Sequence, residues 1–302
     1  MPPGPYWEQA LPAAIPAPPS AAAFIAKLPP HAFFVVSAIF HNLGPACAVL
    51  LFAHVPPLGV AWLRIAAAAA VFAVWRRPWR YWRNLDRSAR RTVGLLGIVL
   101  ALMNVSFYLA IDRLPLGTVS AIEFLGPIVL AAVGMRTARN YCALALGAAG
   151  GYVLAEIRVV AEPWGIAFAF ANCALFVFYV VLGHRVARDG GAAGIDRLGA
   201  SMLIATIVAA PIGIGDAARA LVAPVLLAAG VGVGVSSSVV PYVCDQLAMA
   251  RLPRATFALL LSVLPATAAV IGLLVLHQVP SASELIGVGL VIVGVGIHRE
   301  PR

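Results

Sequence analysis

The sequence predicts an all-α integral membrane protein whose ten transmembrane helices form two inverted five-helix repeats. Three observations support this fold class: an apolar composition, ten apolar runs of membrane-spanning length, and two similar segments 138 positions apart. Hydrophobic residues make up 62% of the 302-residue chain, whereas Asp, Glu, Lys and Arg together make up only 11%. A soluble domain needs more charge than this to cover its surface, so lipid must surround most of the chain.

The ten apolar runs follow one another with short connections. A bilayer core about 30 Å thick needs about 20 helical residues per crossing. Unpaired backbone groups cannot face lipid, which leaves a helical bundle as the architecture. The predicted spans are 33–53, 58–75, 92–111, 117–135, 140–158, 164–182, 198–215, 222–245, 255–277 and 283–298.

The chain divides into a tail and two halves. Residues 1–32 are rich in Pro and Ala and lack the basic start and apolar core of a signal peptide. They are predicted to form a disordered cytoplasmic tail. The first five-helix repeat is placed at 33–158 and the second at 164–298.

Positive charges predict the orientation in the membrane. With the N-terminus in the cytoplasm, 17 Lys and Arg residues fall in inner segments and only three fall in outer ones: Arg113, Arg158 and Arg219. Cytoplasmic loops of membrane proteins carry such an excess, so both termini are predicted to be cytoplasmic. The net charge of +9 therefore indicates topology and gives no support for nucleic-acid binding.

The two similar segments indicate an inverted repeat. Ala110-Ile-Asp-Arg-Leu-Pro-Leu-Gly-Thr118 aligns with Ala248-Met-Ala-Arg-Leu-Pro-Arg-Ala-Thr256, and Pro127 aligns with Pro265. This offset carries the fourth span onto the ninth, five spans later, so the two halves have opposite orientations. Chance similarity between Ala-rich helices is the alternative. Inverted repeats with a substrate site between the halves are typical of secondary transporters.

Several motifs along the chain after residue 33 carry a family resemblance. They are Gly59-Val-Ala-Trp-Leu-Arg64, Met103-Asn-Val-Ser-Phe-Tyr108, Leu114-Pro-Leu-Gly117, Ala121-Ile-Glu-Phe-Leu-Gly-Pro127, Pro241-Tyr242 with Asp245, Arg251-Leu-Pro253 and Pro265-Ala266. Together they resemble the EamA family of the drug/metabolite transporter superfamily, and best its bacterial threonine/homoserine exporter branch. The resemblance implies ten helices around a central cavity, a location in the inner membrane, and export of small amino acids by proton exchange.

The chain departs from that branch at two places. Leu264 stands where the exporters have Glu before the proline of the ninth span, and His277-Gln278 stands where they tend to have Gly-Glu. These departures leave open the substrate and the coupling ion. A transporter of a different small metabolite is therefore an alternative hypothesis, and a non-transporting membrane scaffold or enzyme is a third.

Arg64 and Glu123 are the main candidates for substrate binding. Glu123 lies eight residues into the fourth span, roughly 12 Å along a helix that rises about 1.5 Å per residue. An ionised lone carboxylate is costly there, so Glu123 is expected to couple transport to protons or to stay protonated and bond neighbouring helices. Arg64 could bind a substrate carboxylate, pair with Glu123, or snorkel outward along its own stem.

Other polar residues in the spans are secondary candidates. Asp245 could contact a substrate ammonium or form an inner gate, or it could reach the cytoplasmic interface. Asn104 and Tyr108 share a helix face and could line the cavity or bond neighbouring helices. His41 shares a face with Ser37 and Pro45 and could relay protons or simply pack.

Three prolines are candidates for helix kinks or gates. A proline removes one helical hydrogen bond and frees the carbonyl four residues earlier. Pro127 would therefore free the carbonyl of Glu123 for a substrate ammonium, or it would only bend the helix for packing. Pro241 and Pro265 are the corresponding candidates in the second half.

The remaining sequence features narrow the function. The cysteines and histidines show no metal-ligand spacing, no phosphate-binding loop is present, and no nucleophile-base set is found, so neither a metal, a cofactor nor an enzyme activity is predicted. The expected partners are a small-molecule substrate, protons and the lipid bilayer. The sequence does not indicate an oligomeric state.

Overall fold

A computed structural model describes the following residues: 29–83, 85–134, 137–139, 141–142, 145–146, 148–150, 153, 162–188, 191–253, 257, 260 and 264–297. Most of the predicted tail and the predicted span 140–158 lie outside these residues, as does the first part of span 255–277. The side chains of Pro127 and Pro265 also lie outside the described set.

The described part of the chain is helical and contains no strand. Its helices are α1 (Pro30–Leu51), α2 (Pro57–Arg76), α3 (Pro78–Trp82), α4 (Arg87–Ile111), α5 (Leu116–Gly134), α6 (Pro163–Ala187), α7 (Gly191–Val222), α8 (Pro224–Gly234), α9 (Val240–Met249), α10 (Leu264–Leu276) and α11 (Ala282–Ile297). A π-helical turn, Val235–Val239, joins α8 to α9 without a break.

Six helical stretches within the described residues are long and apolar enough to cross a bilayer. They are Ala32–Leu51, Pro57–Arg76, Arg87–Ile111, Pro163–Ala187, Ala193–Val222 and Pro224–Met249. The prediction of a helical integral membrane protein is thus confirmed. Helices α5, α10 and α11 coincide with three further predicted spans, and α10 and α11 are only 13 and 16 residues long.

Helix α7 is much longer than the predicted span 198–215, with 32 residues. At about 1.5 Å per residue it reaches roughly 48 Å, well beyond a hydrocarbon core of about 30 Å. Charges such as Asp196 and Arg197 ended the predicted span, but they do not end the helix. Instead, Asp196 Oδ1 accepts from Arg76 Nε at 2.7 Å, so the excess length carries an ion pair at the membrane edge.

The helix starts follow from local chemistry. Proline occupies the first turn of α1, α2, α6 and α8, where a missing N–H costs no helical bond. Asp86 caps α4 by accepting from the Ala89 N–H at 2.8 Å. Ser281 and Glu284 form a reciprocal capping box at the start of α11, with Ser281 N donating to Glu284 Oε2 at 2.8 Å.

Helices from the two halves of the chain interlock. Helix α1 packs on α9 and α10, α2 packs on α7 and α8, and α4 and α5 both pack on α6. Gly44 of α1 lies against Ser237 of the π turn, with no room for a side chain between them. Gly234 allows the same close approach to Ala67 of α2. The interior between these helices is therefore built from both halves together.

The chain connections lie at two opposite ends of the bundle. At one end, the Arg76–Asp196 ion pair joins the end of α2 to α7. At the other end, the Leu116 N–H donates to Gln278 Oε1 at 3.2 Å, so the start of α5 meets the segment after α10. These two ends lie a full length of α4 apart, as the two faces of a membrane-crossing bundle do.

Candidate functional site

A small polar pocket lies in the interior, between helices of both halves. Its volume is about 240 Å³, and every residue that lines it is buried. The lining residues are His41, Pro45, Arg64, Met103, Asn104, Phe107, Glu123, Asn172 and Tyr242.

Arg64 points into the protein and does not snorkel outward, because its exposed fraction is only 4%. Its Nε donates to Ser238 Oγ at 2.7 Å, and its Nη2 donates to the Ser237 carbonyl oxygen at 2.5 Å. Its Cζ lies 5.5 Å from the centre of the Tyr108 ring. Neither hydrogen bond uses Nη1, which leaves one face of the guanidinium for a further acceptor.

The Ser237 carbonyl oxygen can accept a bond from Arg64 because a proline follows four residues later in the helix. Pro241 has no N–H, so the carbonyl of Ser237, four residues earlier, loses its helical donor. The backbone adjusts through the π turn, in which the Val240 N–H bonds to the Val235 carbonyl oxygen. Arg64 then satisfies the freed carbonyl. Pro241, a candidate for a helix break, thus lies at an observed irregularity of the kind often found at functional sites.

Glu123 lies in the same pocket and has an exposed fraction of 2%. Its Oε2 makes no hydrogen bond of normal geometry to a described residue, although the Asn172 side chain lies close enough to interact with the carboxyl group. Arg64 is close enough to interact with it electrostatically, but the two side chains form no ion pair. A buried polar atom without a partner costs about 1–3 kcal/mol, so this oxygen is available for a ligand cation or a proton.

Asn172 of α6 borders the pocket beside Glu123 and is fully buried. Neither its Nδ2 nor its Oδ1 makes a hydrogen bond to a described residue. The pocket therefore contains a cation, a carboxyl group and an amide, each with unused hydrogen-bonding capacity. This combination can bind a small zwitterion by both of its charged ends.

Asp245 does not line this pocket, and with an exposed fraction of 1% it is buried among the helices rather than exposed at the protein surface. Its Oδ1 accepts from Ser37 Oγ at 2.5 Å, and its Oδ2 accepts from Tyr179 OH at 2.9 Å. The carboxylate thus joins α1, α6 and α9. Arg251, which follows α9, places its guanidinium carbon 5.2 Å from the ring centre of Phe33.

The remaining candidates take different positions. His41 and Asn104 line the pocket, and Asn104 Nδ2 donates to its own helix at the Leu100 carbonyl oxygen, 2.7 Å away. The His41 ring packs edge-on against Phe176, with 6.2 Å between ring centres. Tyr108 is fully buried beside Arg64, and its hydroxyl group lies close enough to interact with both Arg64 and Ser237.

The other two prolines lie within helices. The backbone of α5 continues as helix through position 127, and Pro265 is the second residue of α10. Their proposed effects on the Glu123 carbonyl and on gating remain predictions. Leu264, which replaces the acid of the exporter branch, is 1% exposed, and its carbonyl oxygen accepts from Asn42 Nδ2 at 3.3 Å.

Sequence reasoning missed Asn172, Tyr179 and Gln246. All three are fully buried, and both amide atoms of Gln246 lack hydrogen bonds within the described part of the chain. The sequence pattern that could have identified them is a single polar side chain within a long apolar run. Asn172 interrupts such a run in Pro163–Ala187.

A second cleft, at the end where α5 meets α10 and α11, has a volume of about 450 Å³. Its carboxylate, Glu284, is already engaged, since Thr118 Oγ1 donates to Oε1 at 3.2 Å and Ser281 bonds Oε2. The cleft therefore lacks the unused charge that marks the Arg64 pocket.

A helical membrane protein with a small charged pocket in its interior has the features of a membrane transporter. Residues 163–298 match the EamA-like transporter family. The threonine/homoserine exporter RhtA of Salmonella typhimurium strain SL1344 is 30% identical over 267 residues, which cover 86% of this chain and 89% of the relative. The chain belongs to the EamA-like transporter family, and it is a multi-pass membrane transporter of small molecules rather than an enzyme.

A second exporter and a solved structure are also similar to this chain. The threonine/homoserine exporter RhtA of Escherichia coli K12 is 30% identical over 252 residues, covering 82% of this chain and 84% of the relative. A crystal structure of a protein with 18% identity aligns with 93% of this chain and 97% of its own, with a TM-score of 0.57. That likeness shows a shared fold.

Proposed function

We propose that this protein exports small amino acids, threonine- or homoserine-like, across the bacterial inner membrane by proton antiport and alternating access. The observation that carries the proposal is the location of Arg64 and Glu123 on one buried pocket, each with unused bonding capacity. The names of the relatives at 30% identity support the substrate class. In this proposal the pocket holds an amino acid by its two charged ends.

The proposed architecture is ten transmembrane helices in two inverted repeats. The helix contacts support it because they occur in related pairs: α4 packs on α6 as α9 packs on α1, and α5 packs on α6 as α10 packs on α1. Helix α2 packs on its own counterpart, α7, as elements on a two-fold axis do. Such a pattern follows when two similar halves insert with opposite orientations.

The proposed orientation places both termini in the cytoplasm. The end of the bundle that holds Arg76 and Asp196 also carries most of the basic residues of the chain. Positive charge collects on the cytoplasmic side of membrane proteins. The end that holds Leu116 and Gln278 would then face the periplasm.

Binding would use charge and geometry together. The free face of the Arg64 guanidinium would bind the substrate carboxylate with two N–H groups, because guanidinium and carboxylate match in a planar fork. Glu123 Oε2 would accept from the substrate ammonium. His41, Asn104 and Tyr242 would complete the wall, and Tyr108 would support Arg64 through its ring.

Coupling would follow from competition at Glu123. In the cytoplasm-open state, an ionised Glu123 would bind the substrate ammonium. In the periplasm-open state, the substrate would leave and a proton from outside would take its place. The carboxyl group would release that proton inside, which links amino-acid export to proton entry.

Asp245 and the three prolines would serve the conformational change. Asp245 joins α1 and α6, the first helices of the two halves, and in the proposed orientation it would lie on the cytoplasmic side of the pocket. Breaking its bonds to Ser37 and Tyr179 would open a path to the cytoplasm. Pro127, Pro241 and Pro265 would provide the bends about which the helices move.

Efflux from proteoliposomes tests the proposal. Vesicles loaded with labelled threonine should release it faster when the external medium is made more acidic than the vesicle interior, so that protons enter as threonine leaves. Glu123→Gln should abolish the dependence on the gradient. Equal gradient-driven efflux by the wild type and this variant would remove the proton role, and a competition panel in which threonine is the weakest solute would favour another substrate.

A further inference from the structure

One unusual polar group in the interior is the amide of Asn172, which, unlike the equally buried amide of Gln246, borders the pocket. It lies fully buried on α6, it borders the Arg64–Glu123 pocket, and neither polar atom has a hydrogen bond to a described residue. Buried amides in folded proteins are nearly always satisfied. An amide left open on a pocket wall is therefore a candidate for ligand contact.

An asparagine on the first helix of the other half shows the contrast, although the two residues are not in register in the repeat. Asn42 lies on α1, which packs on α10 as α6 packs on α5. Asn42 Nδ2 donates to Thr267 Oγ1 at 2.8 Å and to the Leu264 carbonyl oxygen at 3.3 Å. Asn42 thus holds two helices together. Asn172 makes no bond of normal hydrogen-bond geometry to a described residue, and its polar neighbour is the Glu123 carboxyl group on the pocket wall.

The place of Asn172 in the pocket limits what it can bind. Arg64 and Glu123 are assigned to the two charged ends of the substrate, and Asn172 lies beside Glu123. Its free group would therefore meet the substrate near the ammonium, where the side chain of an amino acid branches off. The rest of the wall includes the apolar side chains of Met103 and Phe107.

We infer that Asn172 is a specificity-determining residue that binds the side-chain hydroxyl of the substrate. A hydroxyl both donates and accepts, as a primary amide does, so the two groups can satisfy each other. A cationic substrate side chain would find no second carboxylate on the pocket wall. An apolar one would leave the amide buried without a partner. The inference rests on the proposed function, because it assumes an amino acid held by Arg64 and Glu123.

Threonine and valine provide a sharp test because they have nearly the same shape and differ in the hydroxyl. In wild-type proteoliposomes, the transport efficiency (Vmax/KM) for threonine should exceed that for valine by about 100-fold or more, as in sites that hydrogen-bond a substrate hydroxyl. Asn172→Leu should lower threonine efficiency and leave valine efficiency unchanged or higher. The threonine-to-valine ratio should then approach one.

Asn42→Leu is the matched control, because it removes a structural amide of the same type. It should lower thermal stability and reduce transport of both amino acids together, with the ratio preserved. Asn172→Ala, which needs less space than Leu, repeats the test if Asn172→Leu does not elute as a folded protein.

The outcomes separate this inference from the proposed function. Wild-type vesicles that move neither threonine nor homoserine would contradict the exporter proposal itself. Threonine transport with equal efficiency for valine would overturn the role of Asn172 and leave the exporter intact. An unchanged threonine-to-valine ratio in folded Asn172→Leu or Asn172→Ala would also overturn the role of Asn172. The comparison of threonine with valine in the wild-type protein remains a test even if both variants fail to fold.

Discussion

Arg64 Nη2 donates a hydrogen bond to the carbonyl oxygen of Ser237 over 2.5 Å. The acceptor is free because Pro241, four residues later, cannot supply the helical N–H. A residue of the first half thus completes the backbone bonding of the second. The same contact fixes one side of the guanidinium and turns its other side toward the pocket.

Replacement of Arg64 by lysine tests whether the fork geometry matters beyond the charge. Arg64→Lys keeps the positive charge but loses the planar pair of donors. Hydrogen bonds to charged groups contribute about 1.5–3 kcal/mol, so the KM for threonine efflux should rise about 10- to 100-fold. Ser238→Ala, which removes only the bond to Nε, should change KM much less. An unchanged KM in Arg64→Lys would contradict the carboxylate assignment.

Restoring the missing backbone donor tests the helix break. Pro241→Ala supplies an N–H that can bond the Ser237 carbonyl and compete with Arg64. We expect a more regular helix, equal or higher thermal stability, and slower threonine efflux. Pro224→Ala is the control, since Pro224 lies in the first turn of α8, where no helical bond is missing. Full transport activity in Pro241→Ala would show that the π turn is not needed for the cycle.

The bond between Asp245 and Tyr179 can be measured by a double-mutant cycle. Tyr179→Phe alone should lower the free energy of unfolding, titrated with a denaturing detergent, by about 1.5–3 kcal/mol because the partner is a carboxylate. In the Asp245→Asn background the same change should cost less, with a coupling energy of about 0.5–3 kcal/mol. Additive effects would mean that the two side chains do not interact in the membrane.

The repeat predicts opposite locations for two equivalent arginines. Arg113 and Arg251 are both exposed and lie 138 positions apart. In a background with Cys47, Cys142, Cys173 and Cys244 replaced, Arg113→Cys should react with a membrane-impermeant thiol reagent in intact cells. Arg251→Cys should react only after permeabilisation. Labelling of both from the same side would contradict the inverted topology.

The charged members of the site could be predicted from the sequence, whereas their partners could not. Arg64 and Glu123 are visible because a single charge in an apolar run already indicates an interior site. The partners depend on which helices meet: Ser237 and Ser238 lie more than 170 positions from Arg64 in the chain. No local pattern in one sequence encodes such a pairing.

The apolar, helical character of the chain was predictable from hydropathy, but the helix ends were not. Span prediction follows the apolar composition, so it stopped at 198 where α7 begins at Gly191. The π turn at Val235–Val239 was also invisible, because Ser236-Ser237-Ser238 is compatible with any helix. Only Pro241 marked the place, and a proline indicates a lost bond without showing what replaces it.

The close packing of α1 on α9 and α10 bears on how the polypeptide is made. When α1 enters the bilayer, its neighbours near Gly44 and Asn42 are still about 200 residues from synthesis. Until those helices are made, Ser37 and Asn42 of the first half lie in the membrane without their hydrogen-bond partners from the second half. We expect biogenesis to finish only after the C-terminal helices insert, so truncated chains should be ready substrates for membrane proteases.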